Sequence, residues 1–322
     1  MKEKNCLIFG GTGQIGRNLI RKLAKNNYRV TVVTRNSHQK ANFIKTQANA
    51  GYIDIVETNP FDEISVSKLF QEADICINLV GILFEKNKRN SFKNIHSNFP
   101  LMLSKLSKKY NIDLLVHLSA LGIDEARDSK YALSKLDGEK NIFNNFSKSI
   151  VLRPSIVYSV DDNFTTTFMT LLNRLPFFPL YYGGETKFTP IHCSDLIDVI
   201  FNVINKKVNA NIIECVGPEV ISFKNIIKIL LKSIDKKRPL IPIPLFLANS
   251  MATFFELFPK PLLTTDQLRL LKYDNVLTNK YASNNSIGVP SKCFFSAEVK
   301  KYSYMWKEGG EYSTDKFSSK KE

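Results

Sequence analysis

Short apolar runs alternate with amphipathic stretches over the first half of the chain. Cys6 to Phe9 is apolar and runs into a glycine cluster, after which Ile15, Leu19, Ile20 and Leu23 recur at helical spacing. The same reading predicts strands at 28–35, 52–57, 74–81, 114–119 and 149–152, and helices at 62–71, 92–109 and 131–145. Strands and helices in regular alternation predict an α/β architecture, a doubly wound parallel sheet with helices on both faces. Beyond Arg153-Pro154 the rhythm breaks. A helix at 164–175, a turn at Gly183-Gly184, a helix at 194–204, a strand at 212–216 and a helix at 223–234 suggest a smaller mixed C-terminal lobe. The expected division is therefore a sheet domain over 1–153, which 154–216 supplies with later strands and helices, a smaller lobe over 154–305, and a polar tail over 306–322.

The glycine cluster gives this pattern a chemistry. In CLIFGGTGQIG, Gly11, Gly13 and Gly16 fit GxGxxG, and Gly10, Gly13 and Gly16 fit GxxGxxG. Between a first strand and a first helix, glycines allow a tight turn, close backbone approach to a phosphate and close packing of helix on sheet. The helix N-terminus then presents free N–H groups and a positive dipole end to a dinucleotide diphosphate. YRVTVVTR supplies the second strand of the βαβ unit, so the fold expected is a Rossmann domain, with Gly10, Thr12, Gly13, Gln14, Ile15 and Gly16 as its phosphate loop. Arg35 closes that second strand, where folds selective for NAD carry Asp or Glu and where an arginine accommodates a 2′-phosphate; NADP(H) is preferred. Asn59, Leu79, Val80 and Gly81 fall at the ends of the third and fourth strands, toward the same cofactor, and ordinary turn chemistry is the alternative for each.

Candidate reaction chemistry follows the fifth strand. Ser119 ends it, and twelve residues later Tyr131 and Lys135 stand four apart at the start of a helix, on one face. An ammonium beside a phenol lowers the phenol pKa, so the tyrosine can exchange a proton with a carbonyl or alcohol that the serine holds. Lys135 also reaches toward a nicotinamide ribose. A second such spacing, Tyr312/Lys316, lies in the polar tail without that context.

Composition narrows the partners. The 322 residues are 43% apolar, enough for a full core. Five scattered cysteines form no CxxC, and four histidines show no ligand spacing, so neither a disulfide framework nor a metal site is expected. No secretory apolar run precedes the glycines, and a cytoplasmic, reducing compartment is expected. The net charge of +15 calls for an acidic partner, but no finger or RNP motif directs the lysines, so nucleic acid is not expected. From Lys236 a basic cluster heads a proline-broken apolar stretch, PLIPIPLFLANSMATFFELFPKPLL. It is too interrupted to span a membrane. Contact with an anionic membrane surface or a docking subunit is one reading, and a helix capping the smaller lobe is the other.

These segments together resemble a known family. GGTGQIG, NLVGILFE, the Ser119/Tyr131/Lys135 set, LRPSIVY, FTPIHCSDLIDVI and GPEVISF are similar to atypical short-chain dehydrogenase/reductases. More narrowly, NLVGILFE, SVDDNF and FPKPLLTTDQLRLLKYDNV resemble the NADPH-binding accessory subunit of respiratory complex I (NADH:ubiquinone oxidoreductase) and its bacterial relatives. The resemblance implies bound NADP(H) in a structural or regulatory role, Pro154 of LRPSIVY joining the cofactor set, complex I subunits as partners, and a peripheral place on the inner face of a bacterial cytoplasmic membrane. It also implies an alternative, ranked second, an NADPH-dependent reductase or epimerase of a ketone, sugar nucleotide or quinone-related intermediate that uses Ser119, Tyr131 and Lys135. Two positions depart from the pattern of active extended members. His96 falls near a usual asparagine, and Tyr158 is followed by Ser159 instead of glycine and proline.

Overall fold

The computed structural model describes residues 4–36, 42–47, 49 and 51–310. The Tyr312/Lys316 pair and most of the polar tail lie outside the described residues. Two compact units emerge. The first comprises the segment ending at Pro154, Cys193–Cys215 and Leu277–Pro290; the second comprises Ser155–His192, Val216–Val276 and the segment from Ser291. Residues 277–290, read from the sequence as part of the smaller lobe, thus belong to the sheet unit.

The first unit runs β1 (Asn5–Phe9), α1 (Gln14–Ala24), β2 (Arg29–Thr34), β3 (Ile53–Glu57), α2 (Glu63–Phe70), β4 (Ile75–Asn78), α3 (Phe99–Lys109), β5 (Leu114–Leu118), α4 (Lys130–Asn145), β6 (Ser149–Pro154), α5 (Cys193–Asn205), β7 (Ile212–Cys215) and β8 (Ala282–Ser283). Its sheet has the order β8-β7-β6-β5-β4-β1-β2-β3, and every pairing is parallel. Strands covered on both faces must be apolar throughout, and all five residues of β1 are buried. The order reverses between β1 and β4, which opens a crevice at the carboxyl ends of those strands, the place where such sheets bind ligands. Leu19, Ile20 and Leu23 form the buried face of α1. Phe9, Phe70, Phe99, Leu103 and Leu115 belong to the core on the α2 and α3 side. Asp62 and Ser129 cap α2 and α4 by accepting the N–H groups of Ile64 and Ala132.

Two elements differ from expectation. The strand predicted at 74–81 stops at Asn78, because the Asn78 side-chain oxygen accepts the Val80 N–H and turns the chain out of the ladder. The helix predicted at 92–109 begins as a π-helical turn, Lys93–Asn98. Pro100 at the head of α3 explains it, since proline brings no N–H to the carbonyl of His96 and its ring collides with that carbonyl in a regular helix. The ladder widens instead, and Phe99 donates to Asn94 five residues back.

Ion pairing fixes the far edge of the sheet. Arg153 binds Glu139 through two nitrogens, at 3.0 and 2.6 Å, and Asp124 at 2.5 Å, with Arg153 and Glu139 both buried. The same guanidinium lies 4.6 Å from the Tyr281 ring centre. Glu214 on β7 accepts the Thr278 N–H and hydroxyl, so residues 277–290 are tied down before β8 pairs with β7.

In the second unit, helices Thr165–Arg174, Phe223–Ser233 and Leu245–Phe255 accompany three small two-stranded pairings. Its core is aromatic, with Tyr158, Phe178, Phe188, Phe223 and Phe295 buried together. Among the described residues no helix is long and apolar enough to cross a membrane. No cluster among them is able to hold a metal ion.

Replacing Arg153 by Leu strands two carboxylates beside β6. Urea unfolding at pH 7 is expected to show a loss of about 3–5 kcal/mol. Lys280→Ala, which removes only the exposed pair with Glu125, is expected to leave the midpoint nearly unchanged.

Candidate functional site

Backbone contact builds the loop between β1 and α1. Gly10 has φ +83°, and a Cβ there would lie 3.0 Å from the Leu79 carbonyl carbon. A Cβ on Gly16 would lie 2.5 Å from the Gly10 oxygen, and one on Gly11 would lie 2.7 Å from a Val32 methyl. Four glycines therefore act together: Gly10 turns, Gly11 admits β2, Gly13 donates back to the Gly10 carbonyl at 3.1 Å, and Gly16 lets α1 sit on the loop. Gly13 is exposed, no side chain caps α1, and its first turn holds no acidic residue. Thr12, Gln14 and Ile15, partly exposed, complete the rim.

The other predicted cofactor residues divide. Leu79 is in contact with Gly10, and Gly81 stands where a Cβ would be 3.5 Å from Lys135 Nζ and 3.8 Å from His96 Nε2. Arg35 is exposed, the first residue beyond β2, with Nη1 3.4 Å from the Asn90 side-chain oxygen. Val80 gives its N–H to Asn78. Pro154 closes β6, and its carbonyl accepts the Leu121 N–H, which holds the backbone just past Ser119. Asn59 is spent locally, its side-chain oxygen accepting the Phe61 N–H in its own turn.

Lys135 is buried and donates to the Leu118 carbonyl at 3.0 Å, so the ammonium is anchored at the end of β5. Its Nζ is 6.0 Å from the Tyr131 ring centre. Burial pulls the lysine down to about 8. Ser119 hydrogen-bonds the Leu152 carbonyl through its backbone N–H, while its hydroxyl is buried without a partner among the described residues. Such an orphan is costly unless a ligand or water completes it. Tyr131 is half-buried, with its ring edge to the His96 and Phe92 rings at 5.2 and 5.8 Å.

Two histidines complete this cluster: His96, which the family resemblance singles out as a departure, and His117, which sequence reasoning did not assign to the site. The Ile82 N–H donates to His96 Nε2 at 3.1 Å, so the ring proton sits on Nδ1 and points to Ser134 Oγ at 3.0 Å. Ser134 in turn donates to the Tyr131 carbonyl. One ring thus joins the loop after β4 to the first turn of α4, and a Cβ on Gly138 would lie 1.9 Å from the His96 carbonyl oxygen. Asn78, with its oxygen taken by Val80, offers its amide N–H to His117 Nδ1 at 3.0 Å. His117 Nε2 then carries the proton, buried and unpartnered among the described residues. Burial, and then the charge of Lys135, push His96 down to about 2 and His117 well below its usual value. The available signal was the two-residue spacing of His117 and Ser119, which puts Ser119, just past β5, on the same side as His117.

Residues 6–215 match the NAD dependent epimerase/dehydratase family, and the chain belongs to that family. Within that class it is similar to NADH dehydrogenase (ubiquinone) 1 alpha subcomplex subunit 9, mitochondrial, of Arabidopsis thaliana, at 24% identity over 287 residues, 87% of this chain and 71% of that one. The Mus musculus subunit of the same name is 23% identical over 284 residues, 88% of this chain and 75% of its own. Among solved structures, UDP-glucuronic acid 4-epimerase from Bacillus cereus, in complex with UDP-glucuronic acid and NAD, shares the fold. Its TM-score is 0.71 at 18% identity, covering 93% of this chain and 98% of that one.

Both histidines stay neutral in the folded chain and protonate freely in the unfolded one, so below about pH 6.5 the unfolded state takes up more protons and stability falls. The His96 ring accounts for about 2 kcal/mol of that loss by about pH 5, and His117 adds to it in the same direction. His96→Asn is expected to flatten the decline by that amount in urea melts between pH 7 and 5. A curve parallel to that of the unmodified chain contradicts the assignment.

Proposed function

We propose that this chain is an accessory or assembly subunit of a bacterial complex I, peripheral on the inner face of the cytoplasmic membrane, and that it holds NADP(H) in a structural or regulatory role. The observation that carries this reading is the length of the likeness to NADH dehydrogenase subunits, which reaches well past the span of the epimerase family match. The chain's own residues fit a dinucleotide. The cradle of Gly10, Gly13 and Gly16 leaves only backbone beside an uncapped helix N-terminus, where Gln14, Ile15 and Gly16 would hold a diphosphate. Arg35 just past β2, in place of a carboxylate, supports the phosphorylated adenosine. Native mass spectrometry of the purified chain is expected to find NADP(H) retained, and blue-native gels to find tagged chain migrating with complex I. An empty chain with a wholly free pool overturns the proposal.

A second reading is favoured by the orphaned Ser119 hydroxyl beside the anchored Lys135. Here the chain is an NADPH-dependent reductase or epimerase of a ketone, sugar nucleotide or quinone-related intermediate. A bound nicotinamide supplies or takes the hydride. Ser119 Oγ would then orient the substrate oxygen, Tyr131 would move a proton at its phenol oxygen, and the Lys135 ammonium would lower that phenol's pKa and bind ribose. Under this reading Tyr131→Phe abolishes turnover, by about a hundredfold or more, and leaves NADPH affinity within about twofold. Unchanged turnover removes the tyrosine from the chemistry.

A further inference from the structure

The helix Leu245–Phe255 is packed inside out. Its buried residues are Ala248 and Ala252, one turn apart, set against Tyr181 and Leu268. Its large residues face outward: Phe246 and Phe254 are 69% and 56% exposed, and Leu257 just beyond is 79% exposed. A helix on a water-facing lobe does the reverse. At 3.6 residues per turn Phe246, Ser250, Phe254 and Leu257 line one face, and the Phe258 ring stands 5.5 Å from that of Phe254. No charged residue occurs between Arg238 and Glu256. The hydroxyls on the helix need no water, because Ser250 donates to the Phe246 carbonyl at 3.0 Å and Thr253 to the Asn249 carbonyl at 2.9 Å.

A row of lysines stands in the same unit, its first member, Lys224, 4.0 Å from the Glu185 carboxylate. Helix Phe223–Ser233 buries Ile226, Ile227 and Leu230 and carries Lys224, Lys228 and Lys232 at four-residue spacing on its other side. The turn Tyr181–Gly184 joins the two features. Tyr181 packs with Ala248 and Ala252, and a Cβ on Gly184 would lie 2.9 Å from the Lys224 Cβ. An apolar helix and a row of lysines therefore flank one turn of the same unit.

We propose that this face seats the chain on an anionic lipid bilayer, with Phe246, Phe254 and Leu257 entering the acyl boundary and the lysine row meeting the headgroup phosphates. Eleven residues span about 16 Å, too short to cross a hydrocarbon core of about 30 Å, so the helix lies in the surface. A second copy of the chain is the poorer occupant, because it brings together two chains that each carry a net charge of +15. The proposal deepens the peripheral placement given above but needs no complex I, so the purified chain alone tests it.

The full chain is sedimented with vesicles of phosphatidylcholine, with or without about 30% phosphatidylglycerol, at about 0.1 and about 0.5 M salt. Binding to the anionic vesicles is expected to exceed that to phosphatidylcholine at least about tenfold and to fall with salt. Phe246→Ser with Leu257→Ser is expected to lower it at least about tenfold while NADPH binding is kept. Lys228→Glu with Lys232→Glu is expected to erase the preference for phosphatidylglycerol. Three results overturn the proposal: equal sedimentation with and without vesicles, a dimer that the Phe246/Leu257 variant dissolves, or capture by detergent-solubilised complex I lost in that variant while vesicles bind none of the chain.

Discussion

At the head of α1 the chain presses on its own backbone, and that contact governs what the sheet can offer a ligand. Gly16 approaches the Gly10 carbonyl so closely that a single methyl has nowhere to go. Because glycine also lets Gly10 turn through a positive φ against Leu79, α1, the loop and the end of β4 converge without intervening side chains. The result is a loop that meets α1 and the residue after β4 through main chain at the sheet's reversal point. Two charged side chains stand at its margin: Arg35 just past the end of β2, and Arg17 of α1, which donates to the Thr12 carbonyl at 3.4 Å.

A second close contact has a similar cause and a different effect. Gly138 brings α4 onto the His96 carbonyl, which Pro100 had already freed from the helical ladder. Proline and glycine, far apart in sequence, meet at one oxygen. Between them they set the height of Tyr131 and Lys135 over the end of β5. The lysine is held by a carbonyl and not by a carboxylate, so its charge is only partly compensated. Neutral histidines suit that neighbourhood, since a second cation beside it is costly.

Much of the first unit was legible because parallel strands are apolar throughout and their helices keep a 3.6-residue stripe, as Leu19, Ile20 and Leu23 do. The fourth strand was read three residues too long, to Gly81, since nothing in the apolar run says that the Asn78 amide oxygen will fold back on Val80. The π-helical turn was hidden for a related reason: apolar spacing continues through 92–109 and only Pro100 marks the fault. The tautomers of His96 and His117 were beyond reach, because their partners Ile82, Ser134 and Asn78 come from other elements. Ala282–Ser283 has two residues, too few to show any period.

That small strand carries a consequence for the chain as a polymer. β8 reaches its neighbour only after a long excursion through the second unit, so the outer rim of β7 stays bare until synthesis has passed residue 283. A nascent or clipped chain ending earlier exposes a ready template for strangers, with peptide groups seeking partners along an apolar ribbon. Two short residues, roped in by Glu214 and by the Tyr281 ring over Arg153, thus cover Ile213 and Glu214 on that rim.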